Sequence, residues 1–158
     1  NFPACPYARV TRLKNKLKIK VNLRTNSFFQ AVERQIKAFP KEKKDLIIVA
    51  DPNVDDVTPY CIQYFVDTRN IALQDENLYL MCFHPGSPAT VEEHAFLADN
   101  DWDSSKVEPY MMIFMQELKL LQDASSQLKR QGYYKNWPMD YYNEVVTPRQ
   151  KLKPNIRR

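Results

Sequence analysis

Two short blocks without a polar face, Leu46-Ile47-Ile48-Val49-Ala50 and Leu78-Tyr79-Leu80-Met81-Cys82-Phe83, constrain this chain more than any other feature. A strand that is apolar on both sides must be covered on both sides, which is the situation of a central strand between helical layers. Between the blocks, Val57, Tyr60, Cys61, Tyr64, Phe65 and Ile71 recur at helical spacing, with Asp55 or Asp56 placed to cap and Pro59 in the first turn. Such a strand-helix-strand unit predicts two parallel strands joined by a right-handed crossover.

A second unit precedes it. Leu17, Ile19, Val21 and Leu23 alternate with Lys16, Lys18, Lys20, Asn22 and Arg24, which predicts a strand over 16–24 with one wet face. Its lysines discourage edge-to-edge pairing. Ser27-Phe28-Phe29-Gln30 has capping-box spacing, Phe28, Val32, Ile36 and Phe39 continue at helical period, and Pro40 is expected to stop the helix. After the third strand, 85–108 reads as a long loop. A last helix is expected to start at Pro109, to bury Met111, Phe114, Met115, Leu118, Leu121 and Leu128, and to be capped by Gly132. The fold class is therefore α/β: a small layered domain over 1–132 with a mainly parallel sheet. Residues 133–158 follow as an extended, basic C-terminal arm that docks through Tyr133, Tyr134, Trp137, Tyr141 and Tyr142.

Composition removes several functions. Among 158 residues the only glycines are Gly86 and Gly132, so no Gly-rich phosphate cradle can be written. No apolar run approaches the roughly 18 residues that cross a bilayer, and a cytoplasmic protein without membrane contact is expected. Cys5, Cys61 and Cys82 are unevenly placed and suggest reduced thiols, the last two in the core. Cys5, Cys82, His84 and His94 lack the spacing of a zinc site, so neither metal nor cofactor is expected. Charge is partitioned: 1–24 carries seven basic residues and no acid, 45–117 two against fourteen, and 118–158 nine against three. Basic ends folding onto an acidic middle explain this, and a patch for a polyanion is the sharper alternative.

Ligands in parallel sheets bind beyond the carboxyl ends of the strands, where Asp51 and His84 fall. A carboxylate orienting an imidazole there would make a general base. Cys5, followed by Pro6 and close to Arg9 and Arg12, would have a stabilised thiolate at a helix start. Pro3-Ala4-Cys5-Pro6-Tyr7-Ala8 resembles the C-P-Y-C of glutaredoxins, with Ala8 in place of the second thiol.

Taken in order, Cys5-Pro6-Tyr7-Ala8, the 46–49 strand, Cys82-Phe83-His84-Pro85 and Pro109-Tyr110 resemble the bacterial family grouped as domain of unknown function 1415, over about residues 3–130. That resemblance selects Cys5, Pro6, His84, Pro85, Pro109 and Tyr110 and implies no particular activity. The chain departs from the family pattern at Gly86-Ser87-Pro88 and at Val107-Glu108. The leading expectation is a crevice for a small-molecule ligand or substrate. In it Cys5 is nucleophile, His84 proton carrier, Asp51 its orienting partner, Tyr7, Arg9, Pro85 and Tyr110 ligand contacts, and the 85–108 loop a lid. The alternative is a non-catalytic interaction module that binds a protein partner through the basic ends and the 133–158 arm, or, less favoured, nucleic acid.

Overall fold

A computed structural model describes residues 11–23, 27–87 and 110–154. In chain order the elements are β1 (Leu17–Val21), α1 (Phe28–Glu42), β2 (Leu46–Asp51), α2 (Pro59–Leu73), β3 (Leu78–Phe83), β4 (Met111–Glu117), α3 (Leu118–Arg130), α4 (Met139–Val145) and α5 (Thr147–Lys151). Helix and sheet are mixed as an α/β chain requires, but the sheet is not mainly parallel. Its order is β1-β2-β4-β3, with β1 and β2 parallel and β4 antiparallel to both of its neighbours.

The overturned element is the helix expected from Pro109. Met111, Phe114, Met115 and Leu118 satisfy a helical period, yet Met111, Ile113 and Met115 also alternate, and the alternation wins because it fills a gap. β4 lies between β2 and β3, pairing Ile47 with Met115 and Val49 with Ile113 on one side, and Leu80 with Met115 and Cys82 with Ile113 on the other. Met111, Ile113 and Met115 are all fully buried.

One sheet face carries Ile47, Val49, Leu78, Leu80, Met111, Ile113 and Met115 and packs against Phe28, Val32, Ile36 and Phe39 of α1 and Ile62, Val66 and Leu73 of α2. The α1 stripe and cap are as expected: Gln30 N–H donates to Ser27 Oγ at 3.3 Å. Pro40 sits inside α1, which runs on to Glu42 and ends at Lys43 in the left-handed conformation. So near the carboxyl end, proline forfeits only one late hydrogen bond.

In α2 the expected stripe is split: Val57 and Phe65 pack against the core, while its other members face outward. Tyr60, Tyr64 and Ile71 are exposed, as is Cys61, and Thr58 rather than an aspartate is the cap. The chosen inward face includes Asn70, a residue that apolar counting passes over. Asn70 Nδ2 donates to Leu80 O at 3.0 Å and Leu80 N–H donates to Asn70 Oδ1 at 2.8 Å, so this side chain satisfies the outer edge of β3.

The other face meets α3 through Tyr79, Leu118 and Leu121, with Met81 and Leu152 alongside. Gly132 does cap α3: its φ is 76°, and Tyr133 N–H reaches Leu128 O at 3.0 Å. Beyond it the expected extended arm is instead a tight aromatic turn followed by α4 and α5. Tyr134 packs edge-on against Tyr133, Trp137 and Tyr142, and Arg149 is buried with its Nη1 3.6 Å from Met81 Sδ. Gln122 Nε2 donates to Arg149 O and Leu152 O at 2.7 and 2.9 Å, clamping this segment to α3.

Candidate functional site

β1, β2 and β3 all point the same way, so their carboxyl ends do share one rim, which holds Asn22, Asp51, His84 and, before β4, the partly exposed Tyr110. The two central strands are not neighbours. Asp51 pairs with Met111 of β4, and Phe83 with Met112, so β4 puts about 10 Å between the β2 and β3 backbones.

Asp51 ends β2 and is buried. Its carboxylate accepts from Asn22 Nδ2 at 2.7 Å, Asn53 N–H at 2.8 Å and Asn53 Nδ2 at 3.0 Å. This is an Asx turn closed by an amide from β1. His84 is buried too. Nε2 lies 2.7 Å from Val57 O and 3.1 Å from Val54 O, while Nδ1 accepts from Gly86 N–H at 2.9 Å. An acceptor at Nδ1 and two carbonyls at Nε2 identify the neutral ring with its proton on Nε2.

Neither ring nitrogen touches Asp51. Both residues instead hold the connection from β2 to α2, Asp51 at Asn53 and His84 at Val54 and Val57. Pro85 makes the turn in which Ser87 N–H donates to His84 O at 3.0 Å. Gly86 packs closely: a Cβ there would lie 3.2 Å from His84 Nδ1, a contact that the ring or the turn would have to relieve by a few tenths of an ångström. With Nδ1 taken by the Gly86 amide, the imidazole has no lone pair for a substrate proton. Cys5, Tyr7 and Arg9, with 88–108 of the expected lid, lie outside the described residues.

Of the other two thiols, Cys82 donates to Gln63 Oε1 at 3.1 Å, and burial, with Asp67 adding to it, pushes it up to about 12. Burial likewise raises the Tyr79 phenol. Among the described residues no group of three or more His, Cys, Asp or Glu is arranged to hold a metal ion, and no helix is long and apolar enough to cross a membrane.

The opposite rim has a different character. There an open groove of about 650 Å³ runs beside α3, lined by Lys14, Asp45, Asp123, Gln127, Arg130 and Gln131 among others. A second hollow of about 620 Å³ shares Asp123, Ser126 and Arg130 and adds Lys129. The residues next to Lys14 and Asp45 in the chain are tied together: Lys44 Nζ donates to Asn15 O at 2.7 Å, and Lys16 Nζ to Lys43 O at 3.1 Å. Sequence reasoning missed this groove, although its signal was the basic character of both chain ends, which meet here as Lys14 and Arg130.

No protein-family model, no curated protein and no solved structure matches this chain. The likeness to domain of unknown function 1415 therefore rests on the quoted motifs alone.

Proposed function

We propose that this chain is a non-catalytic module that binds a protein partner through its basic ends. The observation that carries the reading is the meeting of Lys14 and Arg130, from the two basic ends of the chain, on one open groove. A groove that also presents the Asp45 and Asp123 carboxylates and several side-chain amides suits a peptide, with donors and acceptors in alternation. Asp45 is paired with Lys16 at 3.9 Å and Asp123 with Lys119, so the groove alternates charges of both signs rather than presenting the unbroken basic surface that a phosphate backbone selects. The catalytic crevice is the weaker reading, because His84 and Asp51 are bonded to backbone and asparagine amides rather than to each other. The free thiols of Cys61 and Cys82 suit a cytoplasmic setting, which belongs to the same reading.

Selection from a random-peptide display library against the purified chain tests this. Selected peptides should bind Lys14→Glu/Arg130→Glu at least roughly tenfold more weakly, as expected for losing two charged contacts. They should bind Asp51→Asn as they bind the parent. Equal binding by the charge-reversed chain, or displacement of the peptides by single-stranded RNA, would overturn the proposal.

A further inference from the structure

The two edges of the sheet are finished differently. The outer edge of β3 is answered by Asn70, whose amide takes both backbone groups of Leu80. Along β1, Leu46 N–H donates to Lys16 O at 3.2 Å and Asn22 N–H to Ala50 O at 2.8 Å, so the even-numbered residues turn their peptide groups toward β2. Leu17, Ile19 and Val21 therefore turn their N–H and C=O groups away from the sheet. Among the described residues no strand pairs with that edge.

The side chains of the same residues are unusually apolar for such a position. Ile19 is 58% exposed, Val21 46% and Leu23 72%. An edge strand with free peptide groups and β-branched apolar side chains is a template for another strand. On its other face stand Lys18, which pairs with Glu42, and the exposed Lys20, whose charge also acts on Glu42 without an ion pair to it among the described residues.

Those lysines decide what can be added. A second copy pairing antiparallel along β1 would set lysines opposite lysines in the face-matched registers that overlap most of the strand, an arrangement that is destabilising. A strand with acidic residues at those positions and apolar residues at the alternate ones meets both faces.

We propose that the free edge of β1 takes up an extended segment of a partner protein, alternating acidic and apolar residues, as a fifth strand of the sheet. This rests on the reading of the chain as a protein-binding module and adds the conformation and chemistry of the segment bound. Main-chain hydrogen bonds to Leu17, Ile19 and Val21 supply affinity, Ile19 and Val21 cover the apolar side chains, and Lys20 selects the acidic ones.

The probe is a fluorescein-labelled peptide alternating Val and Glu, with its Val/Lys counterpart as control, titrated by fluorescence anisotropy. The acidic peptide should bind and the basic one should not. On binding, the amides of Ile19 and Val21 should gain protection from hydrogen exchange, while those of Lys18 and Lys20, already inside the sheet, stay unchanged. Ile19→Pro removes an outward donor without touching the β1–β2 ladder, and Lys20→Glu leaves the backbone intact; each should weaken binding roughly tenfold.

Equal affinity for the two peptides, or indifference to both substitutions, overturns the inference, as does dimerisation of the free chain through β1 in gel filtration. If the Val/Glu peptide responds to Lys14→Glu/Arg130→Glu and not to the β1 substitutions, the edge is excluded and the groove reading stands. If it responds only to the β1 substitutions while the display-selected peptides ignore the groove charges, the groove reading falls and the edge remains.

Discussion

At the rim made by the carboxyl ends of β1, β2 and β3, polar side chains are turned inward and bonded to nearby backbone and asparagine amides. At the opposite rim they are turned outward around open space. Asp51 and His84 belong to the first group, Lys14, Gln127 and Arg130 to the second. The residue types that suggest chemistry sit where the molecule uses them for its own stability, and the types that suggest ordinary solvation line the open groove beside α3. A histidine or aspartate at a strand end is thus informative only together with what its polar atoms touch.

Substitutions should separate the rims by what they change. Asp51→Ala strips the buried acceptor from three part-buried donor bonds, and urea unfolding should show a loss of about 3 kcal/mol, with Tm lower by roughly 10 °C. A loss within experimental error would mean that the Asp51 turn does not hold the β2–α2 connection. Gly86→Ala pushes a methyl against the His84 ring, and about 1–2 kcal/mol should be lost because the Nδ1 contact must lengthen. Unchanged stability would show that the ring can move freely, and would reopen it as a proton carrier.

Cys82 gives a pH test. Its folded thiol is held up at about 12 against an ordinary value of 9.0, so the protonated form is favoured by folding. Stability from this group is complete below pH 9 and is lost as pH rises toward 12. At pH 8, alkylation followed by mass spectrometry should modify the exposed Cys61 while leaving Cys82, whose thiol is held protonated by burial, almost untouched. Comparable rates would show that the Cys82 thiol is not shielded. The smallest effect belongs to the open rim: Lys14→Glu/Arg130→Glu should move the unfolding free energy by no more than about 0.5 kcal/mol, as surface substitutions do. A larger loss would make those residues structural and remove the contrast.

Much of the layout was legible in the sequence. β2 and β3 appear where two-sided apolar blocks place them, and Ser27, Pro59 and Gly132 act at helix ends as their chemistry requires. What escaped was decided by pairing across the chain. The Met111–Glu117 stretch fits two periods, and only the vacancy between β2 and β3 selects the extended one. α2 has apolar residues on more than one side, so choosing its buried face required knowing that Asn70 would meet the edge of β3. The partners of Asp51 and His84 were half visible, since Asp-Pro-Asn is a turn signal, whereas Val54 O, Val57 O and Gly86 N–H are backbone groups that no composition argument exposes.

The insertion of β4 between β2 and β3 also governs how the chain is made. Until residue 117 has left the ribosome, the first three strands cannot close: a nascent chain holding β1 to β3 carries a slot one strand wide, flanked by Ile47, Val49, Leu80 and Cys82. At translation speeds of about 5–20 residues per second that slot stays unfilled for seconds, long enough for a chaperone or a stray strand to enter it.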